Sequence, residues 1–190
     1  VGSEMCIRDR IKGNPDVSGV KAAHMHIASY ETKVVRIPRE PGPSGPSEEA
    51  DYVTLRLRTG DGVEGIDYAG FASVLVTKGL KEVTDALASQ IIGRDPWQTE
   101  AIGLDLLHKA GGGSPAGLVT RAVAAIDVAL WDIKGKLAGM PVWRLLGAPS
   151  GTVPTYASGY LWRHYDLDAL ATTAVSLVSQ GFRAMKFRMG

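Results

Sequence analysis

Residues 124–136, with the sequence AAIDVALWDIKGK, decide how this chain folds. Across residues 119–137, apolar side chains recur at the spacing of a helix that buries one face. Asp132 and Lys136 stand one helical turn apart, where opposite charges stabilise a helix. The sequence therefore predicts a long helix that packs on a core and ends at Gly139. Its apolar stripe consists of Ile126, Ala129, Leu130, Ile133 and Leu137.

Three strands are predicted upstream of this helix. Residues 24–37 are rich in β-branched side chains, and apolar residues alternate with polar ones over residues 52–58. The sequence TGDG at 59–62 suits a tight turn, and a short return strand follows at 63–66. Between the first two strands, the run PREPGPSGP at 38–46 predicts an exposed loop. This order indicates a three-stranded antiparallel meander.

Shorter helices are predicted between the meander and the long helix. The sequence DPWQ at 95–98 indicates the start of one, because Asp95 can cap it and Pro96 suits its first position. Gln98 can reach back to the cap. An earlier helix stops at Gly93, and its apolar stripe consists of Leu80, Val83, Leu87 and Ile91.

The chain downstream of residue 147 changes its pattern. Residues 153–157 predict a strand, Asp166 can cap a helix over residues 167–179, and residues 182–189 predict a second strand. A strand, a helix and a strand in this order imply a parallel sheet. The predicted fold class is therefore an α+β capping domain, made of a three-stranded antiparallel meander plus a helical bundle, followed by the first βαβ of a truncated (β/α) barrel.

Three regions are expected along the chain. Residues 1–10 have no hydrophobic period and end in a dense charge cluster, so we expect a non-native leader. Residues 11–147 would form the α+β capping domain, and residues 148–190 the start of the barrel. Because a complete eight-stranded barrel needs about 250 residues, we expect a truncated barrel and an inactive isolated chain.

Composition narrows the possible partners. The net charge is +1, from 21 basic and 20 acidic residues. The sequence has no basic stripe of the kind that would predict a nucleic-acid interface. The single Cys6 cannot form a disulfide framework or a zinc site. No apolar run reaches the roughly 18 residues of a membrane span, and the N-terminus lacks the apolar core of a signal peptide. We expect a cytoplasmic protein with no membrane or nucleic-acid partner.

The last predicted strand carries the strongest chemical signal. Side chains alternate along a strand, so Lys186 and Arg188 point one way while Met185, Phe187 and Met189 point the other. In a barrel the two cations would face the interior, where a charge needs a compensating anion such as a substrate carboxylate. The alternative is an exposed strand whose basic residues face water, and this strand alone leaves both interpretations open.

Residues after the first barrel strand are further candidates. Trp162 and His164 follow that strand, together with Arg163 and Tyr165. Loops after barrel strands form the active-site face, so we expect Trp162 and His164 to contact a substrate.

Two other patterns favour a structural interpretation. The run GGGSPA at 111–116 superficially matches a dinucleotide-binding fingerprint, but no strand is predicted before it, so we interpret it as a helix–helix loop. His24 and His26 share one strand face and could bind a metal. Because no further ligand stands nearby, a half-buried strand position is favoured.

A family resemblance rests on four stretches of sequence. The helix at 124–136, continued by GMPV at 139–142 and LLG at 145–147, resembles the cap-to-barrel helix of the mandelate racemase/muconate lactonizing enzyme family of the enolase superfamily. The sequence Lys-Phe-Arg at 186–188 stands where that family keeps Lys-x-Lys on its second barrel strand. The resemblance covers roughly residues 22–190.

The resemblance implies a cap that closes over a barrel holding Mg²⁺. The metal ligands would belong to later strands, which are absent from this sequence. The implied partner is a small-molecule carboxylate substrate, and the full-length protein would be a homo-oligomer. The loop at 38–46 would be a mobile cap loop over the substrate. Tyr68 and Phe71, just after the third strand, would lie near a second such loop and are candidate substrate contacts.

The implied reaction is removal of the proton next to a carboxylate. Lys186 would lie near the substrate carboxylate and stabilise its developing charge. Arg188 replaces the second Lys, which is the base in the racemases. Arginine is effectively always protonated and makes a poor base. This departure favours a sugar-acid or hydroxy-acid dehydratase over a racemase, epimerase or cycloisomerase. The alternative of another class is a catalytically inactive cap-like binding module or a gene fragment.

Overall fold

A computed structural model describes residues 25–38, 49–70, 74–111 and 116–188. The chain order of its elements is β1 (Ile27–Pro38), β2 (Glu49–Thr59), β3 (Glu64–Ala69), α1 (Val74–Ser89), α2 (Thr99–Lys109), α3 (Gly117–Leu137), α4 (Val142–Leu145), β4 (Ala157–Trp162), α5 (Leu167–Ser179) and β5 (Met185–Arg188). None of the helices in these ranges is both long and apolar enough to cross a membrane.

Several predictions concern residues outside this description. They are the leader at 1–10, His24, Phe71, Met189, most of the loop at 38–46 and positions 112–115 of the glycine-rich run. That run lies between α2 and α3, the context expected of a helix–helix loop.

The predicted meander is present. β2 lies between β1 and β3, and both pairings are antiparallel. The inward side chains Val53, Leu55 and Leu57 are buried in the main core. β3 extends beyond the predicted 63–66, because its pairing with β2 continues to the partner of Val53, Ala69. Tyr68 therefore lies within β3. The prediction from the apolar pattern, which placed Tyr68 just after this strand, was wrong.

The long helix α3 supplies much of the core, as predicted. Ile126, Ala129, Leu130 and Ile133 are buried, and Leu137 packs against the edge of the same cluster. α1 packs on α3, on β1 and on β2. The helices therefore cover one face of the meander.

α3 and β3 approach each other closely at Gly65. A Cβ atom there would lie 2.0 Å from the carbonyl oxygen of Ala129, so a side chain at this position would force the two elements apart. Asp132 strengthens the contact: its Oδ2 accepts a hydrogen bond from the Ile66 backbone N–H at 3.0 Å and from Lys136 Nζ at 2.6 Å. The predicted Asp132–Lys136 pair is thus present and also ties the helix to the sheet.

The start of α2 differs from the prediction. The helix begins at Thr99, after Gln98. Asp95 does not cap it, because its Oδ1 accepts instead from the Trp97 backbone N–H at 2.9 Å. A short acidic side chain that bonds two residues ahead forms a turn of its own, and Pro96 lies in that turn.

The second sheet is parallel, as predicted, but its strands are displaced. β4 occupies Ala157–Trp162 instead of 153–157, because pairing with the second strand begins where the Ala157 N–H donates to Ala184 at 2.9 Å. β5 begins at Met185 instead of 182 and extends to Arg188, the last described residue. The predicted cap of α5 is confirmed, since Asp166 Oδ1 accepts from the Ala169 N–H at 2.7 Å.

The described residues form two hydrophobic clusters. The larger joins the meander to α1, α2 and α3. The smaller joins β4 and α5, with Ala157, Leu161 and Leu177 buried and Met185 packed against them. The predicted division at residue 147 falls between the residues of the two clusters, and the domain limits stay a prediction.

Candidate functional site

The candidate site lies where β4 and β5 end. The two strands are parallel, and Trp162 pairs with Arg188 at their carboxyl ends. In α/β barrels this end of the strands carries the active site. The parallel arrangement therefore brings Arg188 to the same edge as Trp162 and His164, and Lys186 lies two residues before Arg188 on β5.

The two cations of β5 are exposed, and Met185 turns the opposite way into the small core. The inward position of Met185 agrees with the prediction that it lies on the face opposite the two cations. Phe187 departs from the prediction that it would pack under the helices, because 46% of its surface is exposed. The small core formed with α5 includes Met185 but not Phe187.

A row of three aromatic rings begins beside Arg188 at this edge. Its Cζ lies 4.5 Å from the centroid of the Trp162 ring, a cation–π distance. The Trp162 and His164 rings are stacked, with centroids 5.9 Å apart and planes at 28°. His164 in turn meets Tyr165 edge to face at 4.8 Å. Sequence reasoning placed Trp162 and His164 near the site but missed the contact with Arg188.

Tyr68 belongs to a different surface. It contacts Tyr52 edge to face, with centroids 5.6 Å apart, on the outer side of the meander. Both rings line a groove of about 280 Å³ together with Val35, Ile37 and Thr54. The ring contacts around Arg188 do not include Tyr68, and Phe71 lies outside the described residues.

The described residues do not fit a metal centre. Among them, no group of three or more His, Cys, Asp or Glu side chains is placed to hold an ion. Asp132 is engaged by Lys136 and Ile66. Burial, together with the Glu100 carboxylate, raises the pKa of Asp127, while Lys134 acts in the opposite direction. A bound metal ion would need ligands from residues outside the described ranges.

Lys134 is a buried cation that the sequence reasoning did not single out. It is 9% exposed, and its Nζ donates to Thr99 Oγ1 at 2.8 Å. The same atom lies 4.4 Å from the Trp131 ring and 5.9 Å from the Trp97 ring. Aromatic faces offset part of the cost of burying an ammonium group. The hydrogen bond to Thr99, the first residue of α2, lets Lys134 connect α3 to α2. Trp97 and Trp131 are the residues of the sequence that could have indicated a buried cation at this place.

Comparison with known proteins agrees with this architecture. A meander covered by helices and followed by a parallel βαβ is consistent with the N-terminal part of an enolase-superfamily protein. Residues 31–147 match the model of the mandelate racemase/muconate lactonizing enzyme N-terminal domain. This chain therefore belongs to the mandelate racemase/muconate lactonizing enzyme family.

Curated relatives include enzymes of different activities. The chain is 34% identical over 158 residues to a 3,6-anhydro-alpha-L-galactonate cycloisomerase from Streptomyces coelicolor, covering 77% of this chain and 40% of that enzyme. It is 28% identical over 149 residues to the L-talarate/galactarate dehydratase of Salmonella typhimurium, covering 78% and 37% respectively. The chain thus spans about two fifths of the length of these relatives.

Solved structures resemble nearly the whole chain. The Salmonella typhimurium dehydratase, liganded with Mg and L-lyxarohydroxamate, gives a TM-score of 0.78 at 24% identity, over 95% of this chain and 47% of that one. A racemase from Streptomyces coelicolor with bound magnesium gives a TM-score of 0.74 at 28% identity, over 86% and 47%.

Proposed function

We propose that this chain supplies the cap and the first two barrel strands of an enzyme that removes the proton next to the carboxylate of a sugar acid or hydroxy acid. The observation that carries the proposal is the placement of Lys186 and Arg188. Both are exposed on one strand of a parallel sheet, and Arg188 lies at its carboxyl end beside Trp162. Because the chain spans about two fifths of its curated relatives, the activity would belong to a longer polypeptide.

The chemistry of Lys186 follows from the charge of the reaction. Removing a proton next to a carboxylate places further negative charge on the carboxylate oxygens. A fixed cation beside those oxygens stabilises the transition state more than the substrate, which is what accelerates the step. The Lys186 ammonium group would have this role, and Trp162 and His164 remain the proposed substrate contacts beside it. The contacts of Tyr68 and Phe71 with a substrate stay predictions from the family resemblance, because Tyr68 lines a separate groove with Tyr52.

Arg188 favours a dehydratase within the family. An arginine holds its proton at all ordinary pH values, so it can donate hydrogen bonds to an anion but cannot accept the substrate proton. The base would then come from another part of the longer polypeptide. A single base suits elimination of water, whereas a racemase or epimerase needs proton transfer on both faces. Cycloisomerisation is the other alternative within the family.

Mg²⁺ enters the proposal only through the relatives. Structures of the Salmonella dehydratase and of the Streptomyces racemase hold magnesium. The described residues of this chain include no cluster of ligands for it. We propose that the ligands belong to the remaining barrel strands of the longer polypeptide. The substrate carboxylate is the proposed partner of this chain, in a homo-oligomeric enzyme.

Replacing Arg188 by lysine tests the assignment of the base. We define the completed protein as this chain joined after Gly190 to the C-terminal barrel segment of the Salmonella typhimurium dehydratase, with galactarate as the substrate. Arg188→Lys should introduce exchange of the proton next to the carboxylate on a second face, because lysine can lose a proton where arginine cannot. After incubation with galactarate in D₂O, nuclear magnetic resonance of the recovered sugar acids would detect deuterium in the epimer that is inverted at this carbon.

Arg183→Lys is the matched control, because Arg183 is exposed just before β5. It should leave the exchange unchanged. Inverted, deuterated product from the completed protein that still carries Arg188 would show that Arg188 does not exclude two-base chemistry. The dehydratase assignment would then be wrong, although the cap and strand assignment would stand.

A further inference from the structure

We propose that Trp162 is a positioning residue that acts through Arg188. Its indole ring would hold the Arg188 guanidinium group at the carboxyl end of β5, so that the N–H donors are presented to the substrate carboxylate in one orientation. The inference rests on the proposed function, since it assigns to Arg188 a carboxylate to bind. It goes beyond a direct substrate contact by Trp162, because the effect is transmitted by a second side chain.

The strand register creates the contact. Trp162 and Arg188 are partners across the parallel pair, and Arg188 Cζ lies 4.5 Å from the indole centroid. An exposed arginine on a strand otherwise samples many side-chain rotamers, and fixing them at the moment of binding weakens the interaction. A guanidinium group that already rests over an aromatic face has lost part of this freedom.

The Trp162 ring is itself fixed from more than one side. Its Nε1–H donates to the carbonyl oxygen of Gly159 at 2.7 Å, which sets the rotation of the ring. The ring is stacked with His164, and His164 meets the buried Tyr165 edge to face at 4.8 Å. The Tyr165 N–H donates to the Trp162 carbonyl at 3.0 Å, so the backbone closes the same turn. The ring therefore offers Arg188 a rigid surface.

A second tryptophan–arginine contact provides a comparison within the chain. Arg144 Cζ lies 5.3 Å from the Trp143 ring, but these two residues are adjacent in α4. Their proximity follows from the covalent chain. The Trp162–Arg188 contact joins two strands, and it exists only when β4 and β5 are paired in the observed register.

Nuclear magnetic resonance of the complete 190-residue chain tests the inference without any turnover. With ¹⁵N-labelled arginine, the Arg188 Nε–Hε signal is identified by its loss in Arg188→Lys. We expect Overhauser contacts from the Arg188 side chain to the indole ring, and an upfield shift of its protons over the aromatic face. Trp162→Leu should abolish both signatures. Trp162→Phe should retain the upfield shift in reduced form, because an aromatic face remains.

Trp143→Leu is the matched control and should leave the Arg188 signal unchanged. Hydrogen exchange of the Ala157 amide, which donates to Ala184, reports whether the β4–β5 pair persists in each variant. An unchanged Arg188 signal in Trp162→Leu with a protected Ala157 amide would overturn the inference. The absence of Overhauser contacts between Arg188 and Trp162 in the unsubstituted chain would overturn it as well, even if Trp162→Leu failed to fold. Neither result depends on proton exchange by the completed protein, so the proposed function fails or stands separately.

Discussion

Replacing Lys186 by alanine should lower proton exchange by the completed protein by at least about 10²–10³-fold, the usual cost of removing one group that stabilises a developing oxyanion. The loss arises because charge would build up on the substrate carboxylate without its ammonium partner. Deuterium incorporation at the carbon next to the carboxylate of galactarate in D₂O measures the rate directly. The substitution removes an exposed side chain, so the fold should be retained.

Lys78→Ala is the matched control for this substitution. Lys78 is an exposed lysine of α1, and its removal lowers the net charge of the protein by the same amount. The rate of proton exchange by the Lys78→Ala variant should match that of the unsubstituted completed protein. Full activity of Lys186→Ala would mean that this lysine does not contact the substrate carboxylate, and the site assignment would be wrong.

Leu130→Ala should destabilise the cap by about 2–5 kcal/mol, the range measured for large-to-small substitutions in protein cores. Leu130 is 1% exposed on α3 and belongs to the main hydrophobic cluster. Truncating it would leave a cavity among side chains of α3 and its neighbouring elements. Urea denaturation followed by circular dichroism gives the free energy of unfolding.

Val128→Ala on the same helix provides the comparison. Val128 is 47% exposed, so its truncation should change the free energy of unfolding by no more than about 0.5 kcal/mol. Equal effects of the two substitutions would show that the buried stripe of α3 has been assigned to the wrong face.

Regular periodicity made much of the cap predictable. The apolar stripe through Ile126 and Ile133 recurs with the period of a helix, and α3 begins and ends close to the predicted limits. The alternation around Leu55 likewise identified β2, since only one face of that strand meets the helices. Both signals are repeated over many residues, so they survive local exceptions.

Element boundaries were harder to predict because single interactions determine them. Asp95 could have capped α2, but its side chain bonds to Trp97 in a turn, and the helix starts later. The residues around Val153 have strand-like composition, yet they are exposed and β4 begins at Ala157, where β5 supplies a partner. Composition does not reveal which residues will find a partner strand.

The candidate site was predictable in part. Alternation along one strand correctly placed Met185 in the small core, opposite the face predicted for Lys186 and Arg188. The contact between Arg188 and Trp162 depends on the register of two parallel strands that are far apart in the sequence. Because a long crossover joins parallel strands, no tight-turn motif specifies that register. Tyr68 was displaced for a related reason, since backbone pairing extends β3 past the end of its apolar pattern.

Proton exchange in D₂O tests most directly whether this chain forms the cap and first barrel strands of an enzyme that removes the proton next to a substrate carboxylate. The completed protein and the isolated 190-residue chain are each incubated with galactarate, and deuterium is measured at the carbon next to the carboxylate. We predict incorporation by the completed protein and none by the isolated chain, which covers about two fifths of its enzymatic relatives. Incorporation by the isolated chain, or none by a folded completed protein, would contradict the proposed function.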